Sequence, residues 1–207
     1  MSVADYMTTK LIIVNPQTTV STAIVLMKEN QIHRLPVLEG NVLVGIVTQG
    51  IIARALPSQA TSLSVYETNY LLTKTTVADI MEKTVRTVSA SAQLEEAIFQ
   101  MRQHKIGVLP VMQSAQVVGI ITNNDILDAF LNISGYGEPG VISRVRVTHD
   151  HPGVIFAIGK ALAEHNLSIQ TLMVVREHQE RVIELHIASD QATAVNQVLV
   201  DAGFELI

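Results

Sequence analysis

The chain has 207 residues, with 14 Lys and Arg against 19 Asp and Glu for a formal charge of -5, and 48% of the residues are hydrophobic. Such a composition excludes a largely disordered chain and leaves no broad basic face for a nucleic-acid backbone. Without cysteine there is no disulfide framework, thiolate zinc site or cysteine nucleophile. The apolar runs are too short for a membrane span, and Met1 to Asp5 does not open a secretion signal, so a cytoplasmic location is expected.

Val20, Ala23, Ile24 and Met27 have the i, i+3, i+4, i+7 spacing of an amphipathic helix. Arg34 to Leu38 and Val42 to Val47 read as two short strands joined by the turn Glu39-Gly40-Asn41, and a helix carrying Ile51, Ile52 and Ala55 follows. Pro57 to Ser64 is small and polar, so residues 57–74 are expected to be a linker. The pattern then starts again. A shift of 74 residues aligns Val3-Ala4-Asp5-Tyr6-Met7 with Val77-Ala78-Asp79-Ile80-Met81, and the register holds without a gap to Ile52 and Ile126. Leu35-Pro36-Val37 meets Leu109-Pro110-Val111, Val44-Gly45-Ile46 meets Val118-Gly119-Ile120, and Thr48 meets Thr122. The second helical stripe is Leu94, Ala97, Ile98 and Met101. Residues 1–56 and 75–132 are therefore two copies of one strand, helix, strand, strand, helix unit. Each is too small to be comfortable alone, and the two should share a core.

After the repeat, Ser134 to Gly140 is rich in glycine and reads as an inter-domain segment over 133–140. In 141–207 a strand holds Val145 and Val147, and a helix holds Val154, Ile158, Ala161 and Leu162. Two alternating strands follow, Ile169-Thr171-Met173-Val175 and Ile183-Leu185-Ile187, turning around Glu177-His178-Gln179. The last helix, with Ala194, Val195, Val198 and Leu199, can close on Gly203 before a final strand over 204–207. The order β-α-β-β-α-β is the split ferredoxin-like arrangement, and the fold class is α+β (α/β). No nucleophile elbow, phosphate loop, zinc-protease or dinucleotide motif is present, so no catalytic residue is expected. His149 and His151 lack the further ligands a metal needs.

The duplicated Leu-Pro-Val and Val-Gly-Ile strands, each followed by a threonine at the next helix, resemble a tandem of CBS domains, the Bateman module. The segment Asp150-His151-Pro152-Gly153, with Asn166-Leu167-Ser168-Ile169, looks like an ACT domain. The domain order, together with Pro57-Ser58, Tyr70-Leu71-Leu72, Gly135 and Pro139-Gly140, is similar to that of acetoin-utilization proteins. The CBS resemblance implies a regulatory protein, not an enzyme, that binds an adenosyl nucleotide (AMP, ATP or S-adenosylmethionine) in a cleft between the copies. By position the cleft takes Ile12, Ile32, His33 and Ile120 as apolar walls and Thr122, Asn124 and Asp125 at the strand-to-helix turn, where the threonine meets a phosphate and the carboxylate meets the ribose hydroxyls. The same Thr-x-x-Asp is also a capping box. Arg34 either steers a phosphate or keeps its charge in solvent. In the first copy Ile51 stands where the acid should be, so the cleft around Thr48 is expected to be weak, apolar or empty.

The ACT resemblance implies a small effector near Asp150, Gly153 and Ser168, with Asp150 as an N-cap and Pro152 as an early helical residue as the other reading. Both families imply a homodimer, with an unknown protein target. The alternative function is an interaction scaffold whose ligand clefts have degenerated.

Overall fold

The computed structural model describes residues 1–55, 65–148, 151–177 and 180–207, with the backbone alone for 65–69. Pro57 and Ser58 of the expected linker, His149 and Asp150 of the expected effector loop, and His178 and Gln179 of the expected turn lie outside them. The chain forms two compact units, Met1–Ile126 and Leu127–Ile207.

After a single 3-10 turn at Val3–Asp5, the first repeat consists of α1 (Val20–Glu29), the hairpin β1 (Arg34–Glu39) and β2 (Val42–Thr48), and α2 (Gln49–Ala55). Two helices, α3 (Val65–Lys74) and α4 (Val77–Ile80), lead into β3 (Val88–Ser89), α5 (Leu94–His104), the hairpin β4 (Val108–Gln113) and β5 (Gln116–Thr122), and α6 (Asn123–Ser134). Thr19 caps α1, its hydroxyl accepting the Thr22 N–H at 3.2 Å. Val20, Ala23 and Met27 on its apolar face, like Leu94, Ala97 and Met101 on α5, are buried. The hairpins have one register: Arg34 pairs with Thr48 and Val108 with Thr122, with an irregularity after Val37 and after Val111. The duplicated hydrophobic pattern thus produces a duplicated ladder, because one register alone buries each strand's apolar set.

The two copies are joined by exchange of their leading segments. Thr8 and Ile120 donate N–H bonds to each other's carbonyls at 2.9 and 3.0 Å, and Ile46 and Glu82 do the same at 3.0 Å each. Val3 N–H bonds Ala92 O, and Val77 N–H bonds Thr18 O, so the start of each repeat lies on the other. Val3 and Val77 are fully buried, and Val77, Ile80 and Met81 belong to the first repeat's core with Val14, Leu35, Val37 and Val47. A repeat of this size does not enclose its own core, and the exchange closes both.

Each exchanged segment begins with the same capping arrangement. Asp5 accepts the Ser2 N–H at 2.7 Å, and Asp79 accepts the Thr76 hydroxyl at 2.7 Å and N–H at 2.8 Å. The Thr76 hydroxyl and then its N–H hold the Asp79 carboxyl below its ordinary range, and the Ser2 N–H holds Asp5 there likewise. A carboxyl whose pKa is lowered by folding stabilises the fold above its unfolded value, about 4, and loses that contribution as pH falls through the folded value. Melting temperatures measured between about pH 5 and pH 3 should therefore fall less steeply in the Asp5→Asn, Asp79→Asn double variant than in the native chain. Parallel curves would show that these caps play no part in acid unfolding.

Of the expected linker 57–74, the stretch Val65–Lys74 is helical. Leu72 packs on the first repeat's core, and the Lys74 ammonium sits 5.9 Å from the centre of the Tyr70 ring. The surrounding polar residues hide this helix from a composition argument.

In the second unit β6 (Val141–Val147), α7 (Val154–Glu164), β7 (Ile169–Glu177), β8 (Glu180–Ile187), α8 (Ala192–Asp201) and β9 (Glu205–Leu206) form a four-stranded antiparallel sheet in the order β7-β8-β6-β9. This is the split β-α-β-β-α-β arrangement. Val145, Ile158, Leu162, Leu185, Val195 and Leu199 are fully buried in its core. Gly203, at φ +87°, ends α8: its N–H bonds Val200 O and the Phe204 N–H bonds Leu199 O.

Three details differ from expectation. A register shift between Ile169 and Thr171 changes the phase of β7, so Ile169 and Leu172, not Thr171, Met173 and Val175, join the core. Helix α7 begins after Gly153, at φ +103°, so Pro152 precedes the helix. The glycine-rich segment 133–140 packs tightly on β8: a Cβ at Gly140 would lie 2.4 Å from His186 Nε2 and 2.7 Å from Ile187 O. Among the described residues no helix is long and apolar enough to cross a membrane.

Candidate nucleotide cleft

Thr122 ends β5 and Asn123 opens α6, and the turn between them is built as a cap. The Thr122 N–H donates to Asp125 Oδ2 at 2.7 Å, and the Asp125 N–H reaches the Thr122 hydroxyl at 3.5 Å. The capping box is thus present. A carboxylate offers about four acceptor positions, however, and a second donor comes from the exchanged segment: the Thr8 hydroxyl donates to Asp125 Oδ1 at 3.1 Å. Asp125 therefore keeps acceptor capacity on a wall of a cavity of about 480 Å³. That volume lies within the range of small-molecule sites.

Ile12, Ile32, His33, Ile120, Thr122, Asn124 and Asp125 all line this one cavity. Ile120 arrives on β5, Ile12 on the extended chain after the exchanged segment, and Ile32 and His33 on the loop between α1 and β1. Thr8, Lys10 and Gln31 also line it and were missed from the sequence. Only the exchange brings Thr8 to Asp125, and no local pattern announces that. Lys10 supplies a cation at the cavity, suited to a phosphate.

Arg34 is half-buried and lines this cavity and a second one. Its Nη1 donates to Gly107 O at 2.6 Å. Burial lowers the guanidinium pKa, and the nearby Asp125 charge opposes that shift. The group is thus tied across the two copies and is not simply extended into water.

The second cavity surrounds Thr48 and measures about 790 Å³. Its turn matches the first at 74 residues' distance: Gln49 N–H bonds His33 O at 3.0 Å, as Asn123 N–H bonds Gly107 O at 3.3 Å. The Thr48 hydroxyl accepts the Ile51 N–H at 3.2 Å, but no acid replies. Of the weak, apolar or empty cleft expected here, the apolar alternative is corrected. Arg34, Arg54, Arg86 and Lys105 line the cavity, with His33, His104 and Glu82. They gather from β1, α2 and the loops before β3 and β4, a convergence that linear spacing does not reveal.

In the second unit a cavity of about 320 Å³ is lined by Gly153, His151, Phe156, Val174 and Arg181, among others. Ser168 does not line it. The eleven residues of α7 separate Ser168 from Gly153, and at 1.5 Å per residue they stand about 16 Å apart along the helix. Asp150 lies outside the described residues.

The CBS domain family model matches residues 3–58 and 77–132, the two copies described above. The chain is 31% identical over 125 residues to the CBS domain-containing protein YhcV of Bacillus subtilis, covering 60% of this chain and 82% of that one. A solved structure from Vibrio cholerae named for acetoin utilization, AcuB, is 30% identical at TM-score 0.56 and covers 67% of this chain and 96% of its own. CBSX2, solved in complex with AMP, is 32% identical at TM-score 0.54, covering 64% and 97%. Some curated relatives are longer, and the chain spans as little as 20% of one of them. The register, the exchanged segments and the two matched intervals agree: the chain belongs to the CBS-domain family as a tandem pair.

Proposed function

We propose that this chain is a non-catalytic regulatory protein that binds one adenosyl nucleotide, of the AMP, ATP or S-adenosylmethionine type, in the cleft around Asp125. One observation carries the reading: a carboxylate with spare acceptor positions faces Ile12, Ile32 and Ile120 across one cavity. The isoleucines take the adenine, Asp125 accepts from the ribose hydroxyls, and Thr122 with Lys10 meets the phosphate. The AMP held by CBSX2 supports this ligand class. Binding shifts the two copies relative to each other only to the extent that the ligand prefers one arrangement.

The second unit serves as an ACT-type module for pairing two chains or for a small effector near Gly153, and the process regulated is of the acetoin-utilization type. Its β-α-β-β-α-β topology supports the first reading, and the likeness to the Vibrio cholerae protein supports the second.

Calorimetric titration of the full chain with AMP and with S-adenosylmethionine tests the reading, alongside native mass spectrometry for oligomer size. One molar equivalent per chain is expected for the preferred ligand, with a higher melting temperature in its presence. Two equal sites for AMP, or no saturable binding of either compound, overturns it and leaves the scaffold.

A further inference from the structure

We propose that the Thr48 cavity is a second site of different chemistry, which takes a phosphate-rich polyanion of the inorganic triphosphate class through its phosphates and does not recognise a nucleoside.

The argument compares positions 74 apart in the two cavities. Where one cavity has Asp125, the other has Ile51, so a ribose finds no carboxylate. Ile12, on the adenine wall, is replaced by Arg86, and Gln31 by Lys105. Two exchanges run the other way, Lys10 giving way to Thr84 and Thr8 to Glu82, yet the fixed cations still rise from two, Lys10 and Arg34, to four. With Arg34 and Arg54 the cavity carries four fixed cations, against Glu82 as the lining carboxylate among the described residues. Glu82 Oε1 accepts the Thr84 N–H at 2.9 Å.

Among the described residues none of the four cations forms an ion pair. Surface cations in an acidic protein ordinarily lie near carboxylates. Here they surround an open volume in a chain whose net charge is -5, so the local field is opposite in sign to the field of the whole molecule. A concave site lined by one sign of charge concentrates ions of the other. Arginine and lysine together fit phosphate oxygens, the first by paired N–H donors and the second as a point charge. The Thr48 hydroxyl uses its oxygen as acceptor toward Ile51, which leaves its proton free to donate to the same anion. An anion of one or two charges would leave most of these cations unmatched, and a chain of three phosphates engages them together.

The test is calorimetry on the full chain at about 0.1 M salt, with inorganic triphosphate, adenosine and AMP as probes. Triphosphate should bind at one equivalent per chain, with an affinity that falls as salt is raised. Because Arg86 and Lys105 are exposed and line this cavity alone, the Arg86→Ala, Lys105→Ala double variant should stay folded. It should bind triphosphate about tenfold or more weakly and keep AMP affinity within about twofold. Arg86→Glu should weaken triphosphate further. ATP titrated into Asp125→Ala should match triphosphate, which separates capture by the phosphates from capture by the nucleoside. The proposal is overturned by absent or unsaturable triphosphate binding, by indifference to the double variant, by an equal loss in Asp125→Ala, or by adenosine binding that the double variant weakens. Failure of the AMP arm alone speaks against the Asp125 cleft and leaves this one standing.

Discussion

Asp125→Ala is expected to weaken AMP binding by about ten- to a hundredfold while costing the fold only about 1 kcal/mol. The binding loss follows from two ribose hydroxyls losing a charged acceptor, each such bond being worth about 1.5–3 kcal/mol at most, part of which water recovers. The folding loss comes from the cap. Thr122 N–H and the Thr8 hydroxyl lose their partner, but both groups lie near solvent and can turn to water. Asp125→Asn separates the two roles, because it keeps one neutral oxygen as acceptor and removes the charge. Its AMP affinity should fall between those of the native chain and the alanine variant. Calorimetric Kd values and urea unfolding free energies on the three proteins read both effects. An AMP Kd within about twofold of native in Asp125→Ala would remove the nucleotide function from this cleft, since among the described residues Asp125 is the carboxylate that lines it.

The second expectation concerns the glycines of the repeated Val-Gly-Ile strand. A Cβ at Gly119 would lie 2.5 Å from Met7 Sδ and 3.1 Å from Thr8 O, and one at Gly45 would lie 2.4 Å from Met81 Sδ and 3.2 Å from Glu82 O. Strand backbone suits valine, so the harm in Gly119→Val is steric. The methionine can move, but the carbonyl belongs to the pair of hydrogen bonds that clamps Thr8 to Ile120. A loss of about 2–3 kcal/mol is expected from either Gly119→Val or Gly45→Val, measured by urea unfolding. Their binding phenotypes should differ. Gly119→Val pushes Thr8 away from Asp125 and so weakens AMP binding, whereas Gly45→Val displaces Glu82, which lines the other cavity, and leaves AMP affinity near native. If both variants lowered AMP affinity equally, the link from Met7 and Thr8 to the Asp125 cleft would be broken.

The sequence carried the repeat because both hairpins must bury the same alternating set, so Leu35-Pro36-Val37 and Leu109-Pro110-Val111 fold into the same register. Through the resemblance to a CBS pair it also pointed to seven residues that line one cavity. Helix α3 stayed hidden because the small, polar stretch before it reads as a linker and because it packs on α1, far from it in the chain. The altered phase of β7 turns on a single irregularity at Gln170, which breaks an alternation that looks regular in the linear chain.

Local patterning thus determined the elements, their order and the duplicated unit, because periodicity and turn chemistry act within a few residues of chain. Tertiary structure alone decided which copy each leading segment completes, that Thr8 reaches Asp125, and that Arg34, Arg54, Arg86 and Lys105 surround one cavity. Those outcomes depend on charges and hydrogen-bond groups that lie tens of residues apart, and only the shared core of the two copies fixes the distances between them.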